Sequence, residues 1–156
     1  RMRRGWSRGG QKTSSGKGLE KLLRGLLISG VHLERIHDSA AFGTYSGHAV
    51  PCDFIGSLFG YPGMVECKET VEERLPFSKL LREQSRHQWE AMTRFRASHR
   101  KNIAGYLCRV RGGFVWAFVE QIHGEGSVSL TDKFLHSHDI VDLFSKIKET
   151  HESTIV

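Results

Sequence analysis

Gly63-Met64-Val65-Glu66-Cys67-Lys68-Glu69-Thr70 reads as a short strand that leaves a turn and runs to a polar edge. Side chains at i and i+2 of a strand share a face, so Glu66 and Lys68 point together while Cys67 points to the other side. Upstream, Val50-Pro51-Cys52-Asp53-Phe54-Ile55-Gly56 reads as a second strand delivering Asp53, and Tyr61-Pro62-Gly63 as the turn between the two. Two carboxylates and a lysine are therefore expected to converge at one end of a sheet. By spacing alone the plainer reading is an exposed ion pair on a strand, because E-x-K arises often by chance.

The sharper reading is metal-dependent phosphodiester hydrolysis. Mg²⁺, with Mn²⁺ as its substitute, prefers oxygen donors and keeps several waters, so Asp53, Glu66 and the main-chain carbonyl of Cys67 would make an open site. Lys68 would orient or help deprotonate a water and stabilise charge developing on the phosphate. Zinc has little support among the nine histidines: His136 and His138 fall in an expected loop, and no C-x-x-C accompanies them. A nucleophilic Ser/His/Asp or Cys/His site has no G-x-S-x-G cue.

Composition narrows the partner. The chain has 156 residues, 38% of them hydrophobic, enough for one domain with a real core. Twenty-three Lys and Arg against 17 Asp and Glu leave a net charge of +6, which favours a polyanion. No apolar run approaches the roughly 20 residues of a membrane span, so nucleic acid is preferred to a bilayer and no membrane partner is expected. Three cysteines without a signal-peptide pattern point to a reduced, cytoplasmic setting.

Residues 1–17 carry Arg1, Arg3, Arg4, Arg8, Lys12 and Lys17 with no acid, and read as a flexible basic arm that settles on a phosphate backbone, or as a solvated tail. Residues 18–150 read as the single domain and 151–156 as a tail. Leu19, Leu22, Leu23, Leu26 and Leu27 give an amphipathic helix of about three turns, with Glu20 in its first turn either complementing the dipole or serving a site. Val31–Ile36 suggests a strand. Residues 37–48, with Phe42, Tyr45, Ser46 and His48, suggest a loop whose aromatics cover a sheet edge or stack on bases.

Glu72–Leu75 reads as a charged connection. Pro76 then opens a helix that reaches about His99, with Ser78 as its N-cap, Gln84 near its start, and a basic face including Arg82 and Arg86. Ile103–Val110 and Phe114–Val119 around Arg111-Gly112-Gly113 form the clearest hairpin; Ser127–Leu130 suggests a short strand, and Ile140–Ile147 a final helix with a frayed tail.

Together, Gly16-Lys17-Gly18-Leu19-Glu20, Val50 through Gly56, Val65 through Thr70, and Pro76 through Gln84 resemble the PD-(D/E)xK nuclease superfamily. Within it they are most similar to Holliday junction resolvases of the RecU and archaeal Hjc types, including phage-type members. The order helix Glu, strand Asp, strand E-x-K, helix Gln carries the resemblance over residues 16–119. It implies an α/β, restriction-endonuclease-like fold: a central mixed sheet flanked by helices. By the resemblance Asp53 and Glu66 would bind metal and Glu20 would complete the acidic site. Lys68 would serve the attacking water and Gln84 would support the site or contact phosphate.

The DNA contacts expected on this reading are Arg3, Arg4, Arg8, Lys12, Lys17, Ser46, His48, Arg82 and Arg86. The implied activity is paired cutting of four-way junctions by a homodimer, in a bacterial or archaeal cell or a phage-infected host. The alternatives are another nuclease of the superfamily or a non-catalytic DNA-binding module. Cys52 stands between Pro51 and Asp53 where the superfamily motif has proline directly before aspartate, and residues 37–48 are shorter than the RecU stalk.

Overall fold

A computed structural model describes residues 13–14, 16–36 and 50–155. Around the longest strand are arranged β1 (Thr13–Ser14), α1 (Lys17–Gly25), β2 (Val31–Arg35), β3 (Phe54–Leu58), β4 (Tyr61–Thr70), β5 (Arg74–Pro76), α2 (Phe77–Leu80), α3 (Glu83–Ser98), β6 (Ile103–Val110), β7 (Gly113–Phe118), β8 (Ser127–Ser129), β9 (Leu135–Ser137) and α4 (Ile140–Ile155). The main sheet runs β2-β3-β4-β6-β7-β9, and β1 adds a short pairing to β4. Among the described strand pairs of this sheet only β4–β6 is parallel, bridged by the α2–α3 crossover, so the sheet is mixed as expected.

The alternation of β4 separates two cores. Val65 and Cys67 face Leu19 and Leu23 of α1 and Leu143, Phe144 and Ile147 of α4, with Leu107 and Trp116 from the neighbouring strands. On the other side Ala104, Tyr106 and Cys108 of β6 meet Phe77 and Leu80 of α2 and Met92 of α3. Helices thus cover both faces, and Glu66 and Lys68 project on the α3 side, in register with Tyr106 and Cys108.

Several boundaries differ from the sequence reading. The turn before β4 is Phe59-Gly60, both at positive φ (56° and 88°), and not Tyr61-Pro62-Gly63. A two-residue turn of this kind matches strand twist. Pro62 is tolerated inside β4 because the β6 ladder begins only at Gly63, so its missing N–H removes no bond there. Asp53 lies just ahead of β3 instead of within a strand beginning at Val50.

The expected connection Glu72–Leu75 contains part of β5, which pairs with β8. The expected helix from Pro76 is two helices, with Leu81 and Arg82 non-helical between them, and Ser78 lies inside α2 and not at a cap. His136 belongs to β9, paired with Val115, where a loop was expected. The last helix continues to Ile155, anchored by buried His151, whose Nε2 lies 2.9 Å from the Lys101 carbonyl. Among the described residues no helix is long and apolar enough to cross a membrane.

Candidate active site at the fork of β4

The outer edge of β4 changes partner along its length. From Tyr61 to Val65 it pairs with β3, and at Glu69 and Thr70 with β1. Between them the edge is held by a side chain: the Cys67 N–H donates to Asp53 Oδ2 at 2.8 Å. Asp53 is fixed in turn because the Ile36 N–H donates to its main-chain carbonyl at 2.8 Å. Gly16, at φ 91°, packs against the Cys67 carbonyl so closely that a side chain there would collide with it.

The helix that brings Glu20 to this fork is capped from β4. Gly16 supplies no side chain to the start of α1; instead Glu69 Oε1 accepts from the Gly18 N–H at 2.9 Å and the Leu19 N–H at 3.1 Å. A carboxylate there satisfies orphan donors and complements the helix dipole. Sequence reading treated Glu69 only as part of a polar edge.

Three carboxylates and two cations meet at the fork. Glu66 is 3% exposed, with Oε2 at 3.3 Å from Lys68 Nζ, while its buried Oε1 has no hydrogen-bond partner among the described residues. Burial, and then the charge of Asp53, push the Glu66 carboxyl up to about 8 against the pull of Lys68. Asp53 is also raised, first by burial; the Cys67 N–H opposes this and the Glu20 charge adds to it.

Arg35 is the residue that sequence reading missed. Its Nε donates to Glu20 Oε1 at 2.7 Å, Nη2 lies 3.6 Å from Asp53 Oδ1, and Nη1 donates to the carbonyls of Ile36 and Asp53. The signal was an arginine in the inward row of β2, sharing the alternation of Val31 and Leu33.

The expected site residues therefore separate into groups. Asp53, Glu66, Lys68 and the Cys67 backbone come together, and Glu20 joins them through Arg35. Gln84 is the second residue of α3, and its side chain lies outside the described part of the molecule. Arg3, Arg4, Arg8, Lys12, Ser46 and His48 lie outside the described residues. Lys17 and Arg82 are exposed at helix starts; Arg86 is exposed too, donating from Nε to the Leu81 carbonyl at 3.2 Å beside the Trp89 ring.

Among the described residues no group of three or more His, Cys, Asp and Glu side chains is gathered to hold a metal ion. The donors at the fork are instead two carboxylates and a backbone carbonyl, with Glu20 engaged by Arg35. Hard oxygens, with a buried Glu66 Oε1 that has no partner among the described residues, fit a small divalent cation completed by water. The nearby thiols suit no nucleophile: burial first, then Glu66 and Asp53, push Cys52 up to about 12, and Cys67 is held well above its usual range by burial. In comparisons with known proteins, no family model matches the chain and no curated protein matches it.

Proposed function

We propose that this chain is a Mg²⁺-dependent, structure-selective DNA endonuclease of the PD-(D/E)xK type that resolves four-way junctions as a homodimer. The observation that supports this best is the convergence of Asp53 with Glu66 and Lys68 at the one stretch of β4 whose outer edge has a side-chain partner in place of a strand. Asp53, Glu66 and the Cys67 carbonyl would hold Mg²⁺, which would supply Lewis-acid polarisation of a phosphate and a more acidic water. The chain's own groups do the rest. Asp53 is oriented by the Cys67 N–H, and Lys68, 3.3 Å from Glu66, offers positive charge to a phosphate. The net charge of +6, with exposed Lys17, Arg82 and Arg86, suits a polyanionic backbone.

A second reading draws on Arg35. Its contacts to Glu20 and Asp53 neutralise the acids within the fold, as a non-catalytic DNA-binding module would retain them. One experiment separates the readings: a synthetic four-way junction and a linear duplex are incubated with Mg²⁺ and either wild type or Asp53→Ala. Resolution predicts metal-dependent cutting of the junction in preference to duplex, lost in Asp53→Ala. Equal cutting of duplex favours another nuclease of the superfamily, and binding without cutting favours the module.

A further inference from the structure

Three buried side-chain polar atoms lack a hydrogen-bond partner among the described residues, and two of them belong to residues on adjacent strands: Glu66 Oε1 and Tyr106 Oη. Glu66 and Tyr106 are direct partners in the parallel β4–β6 register, so both project from the same face of the sheet on adjacent strands. Both are buried, with Tyr106 fully so under α2 and α3. Leaving a phenol and a carboxylate oxygen unpaired in a low-dielectric interior is costly, and buried polar atoms are almost always satisfied by protein or by internal water. The two are not hydrogen-bonded to each other, and one internal water between them would satisfy the donor and the acceptor together.

We propose that Tyr106 is a positioning residue for Glu66: its Oη–H reaches Glu66 Oε1 through one internal water and fixes the carboxylate that faces the fork. This rests on the nuclease reading of that site. Charge at Glu66 is felt at the phenol, which burial and then Glu66 push upward, so Tyr106 stays a protonated donor. Lys68 stands 3.3 Å from Oε2, and a donor on Oε1 would fix the second oxygen while leaving a lone pair on it for a cation. Such outer contacts orient ligating groups, and their loss costs about 10- to 100-fold in metal affinity. A role limited to filling the core would need the ring alone.

Tyr106→Phe keeps the ring and removes the donor. Mn²⁺ binding to wild type, Tyr106→Phe and Asp53→Ala is measured by electron paramagnetic resonance without DNA, beside thermal unfolding. The expected result is Mn²⁺ affinity lowered about tenfold or more in Tyr106→Phe, with Tm lowered by no more than about 4 °C, the shift of one hydrogen bond in a chain of this size. Affinity unchanged within about twofold, in a wild type whose binding Asp53→Ala abolishes, overturns the role of Tyr106 and leaves the nuclease reading intact. No Mn²⁺ binding to wild type overturns both. If Tyr106→Phe does not fold, a high-resolution crystal structure of wild type decides. Oη within about 3.2 Å of a water that is itself within that distance of Glu66 Oε1 supports the proposal. Oη bonded elsewhere overturns it.

Discussion

The two halves of β4 are one strand with two characters. From Tyr61 to Val65 it has β3 on its outer side and, from Gly63, β6 on its inner side, and its residues are those of a structural ladder. From Glu66 to Glu69 the inner ladder continues, but β3 has ended and β1 pairs only at Glu69 and Thr70. Asp53 occupies the interval through its side chain. Charge concentrates where strand pairing gives way to side-chain pairing: Glu20, Arg35, Asp53, Glu66 and Lys68 all reach this interval, whereas the first half presents Pro62, Gly63 and Met64. A strand edge without a neighbouring strand leaves polar backbone to be satisfied, and the groups that satisfy it are available for chemistry.

That contrast can be broken most severely by removing charge from the forked half while keeping its hydrogen bond. Asp53→Asn retains an acceptor for the Cys67 N–H, so folding stability should hold, while metal-dependent cutting falls at least a hundredfold, corresponding to several kcal/mol of lost charge stabilisation. Initial rates on a four-way junction, beside urea unfolding, read both. Breaking the paired half should do the reverse. A Cβ at Gly56 would run into the His32 carbonyl across the β2–β3 ladder, so Gly56→Ala should cost about 3 kcal/mol in denaturant unfolding and affect activity only through folding.

The cap joining the two halves to α1 comes next. Glu69→Ala removes the acceptor for the Gly18 and Leu19 N–H groups and should cost about 1 kcal/mol, with cutting reduced less than in Asp53→Asn. A further effect is electrostatic and depends on pH. The Glu66 carboxyl, raised from 4.5 to about 8, binds a proton more tightly in the folded than in the unfolded chain. Its contribution to stability is therefore fully present below about pH 4.5 and is lost as pH rises to about 8. Metal-free unfolding in urea should show wild type losing stability over that window, and Glu66→Gln should flatten the slope.

Much of this organisation was legible in sequence, and the limits have physical causes. Alternation in residues 63–70 placed Glu66 and Lys68 on one face and Cys67 on the other, because a strand's period survives small errors at its ends. The hairpin around Gly112 was equally plain. The preceding turn was misplaced because Pro62-Gly63 is the stronger turn signal, while the actual turn uses Phe59 at positive φ, which no propensity favours. The gap between α2 and α3 left no proline or glycine to mark it, and β5 and β9 are three residues each, too short for a periodicity.

At the site, Asp53 was singled out from the strand pattern and Glu20 from its place in the first turn of a helix together with the resemblance, whereas Arg35 and Glu69 were not singled out. Their roles depend on contacts 15 and about 50 residues distant in the chain, which local pattern does not carry.

The most direct test of the forked edge as a catalytic centre is anomalous diffraction from crystals soaked in Mn²⁺. The account predicts a peak within about 2.0–2.6 Å of carboxylate oxygens of both Asp53 and Glu66. A fork that at saturating Mn²⁺ shows no peak, with Arg35 still bridging Glu20 and Asp53, would contradict it.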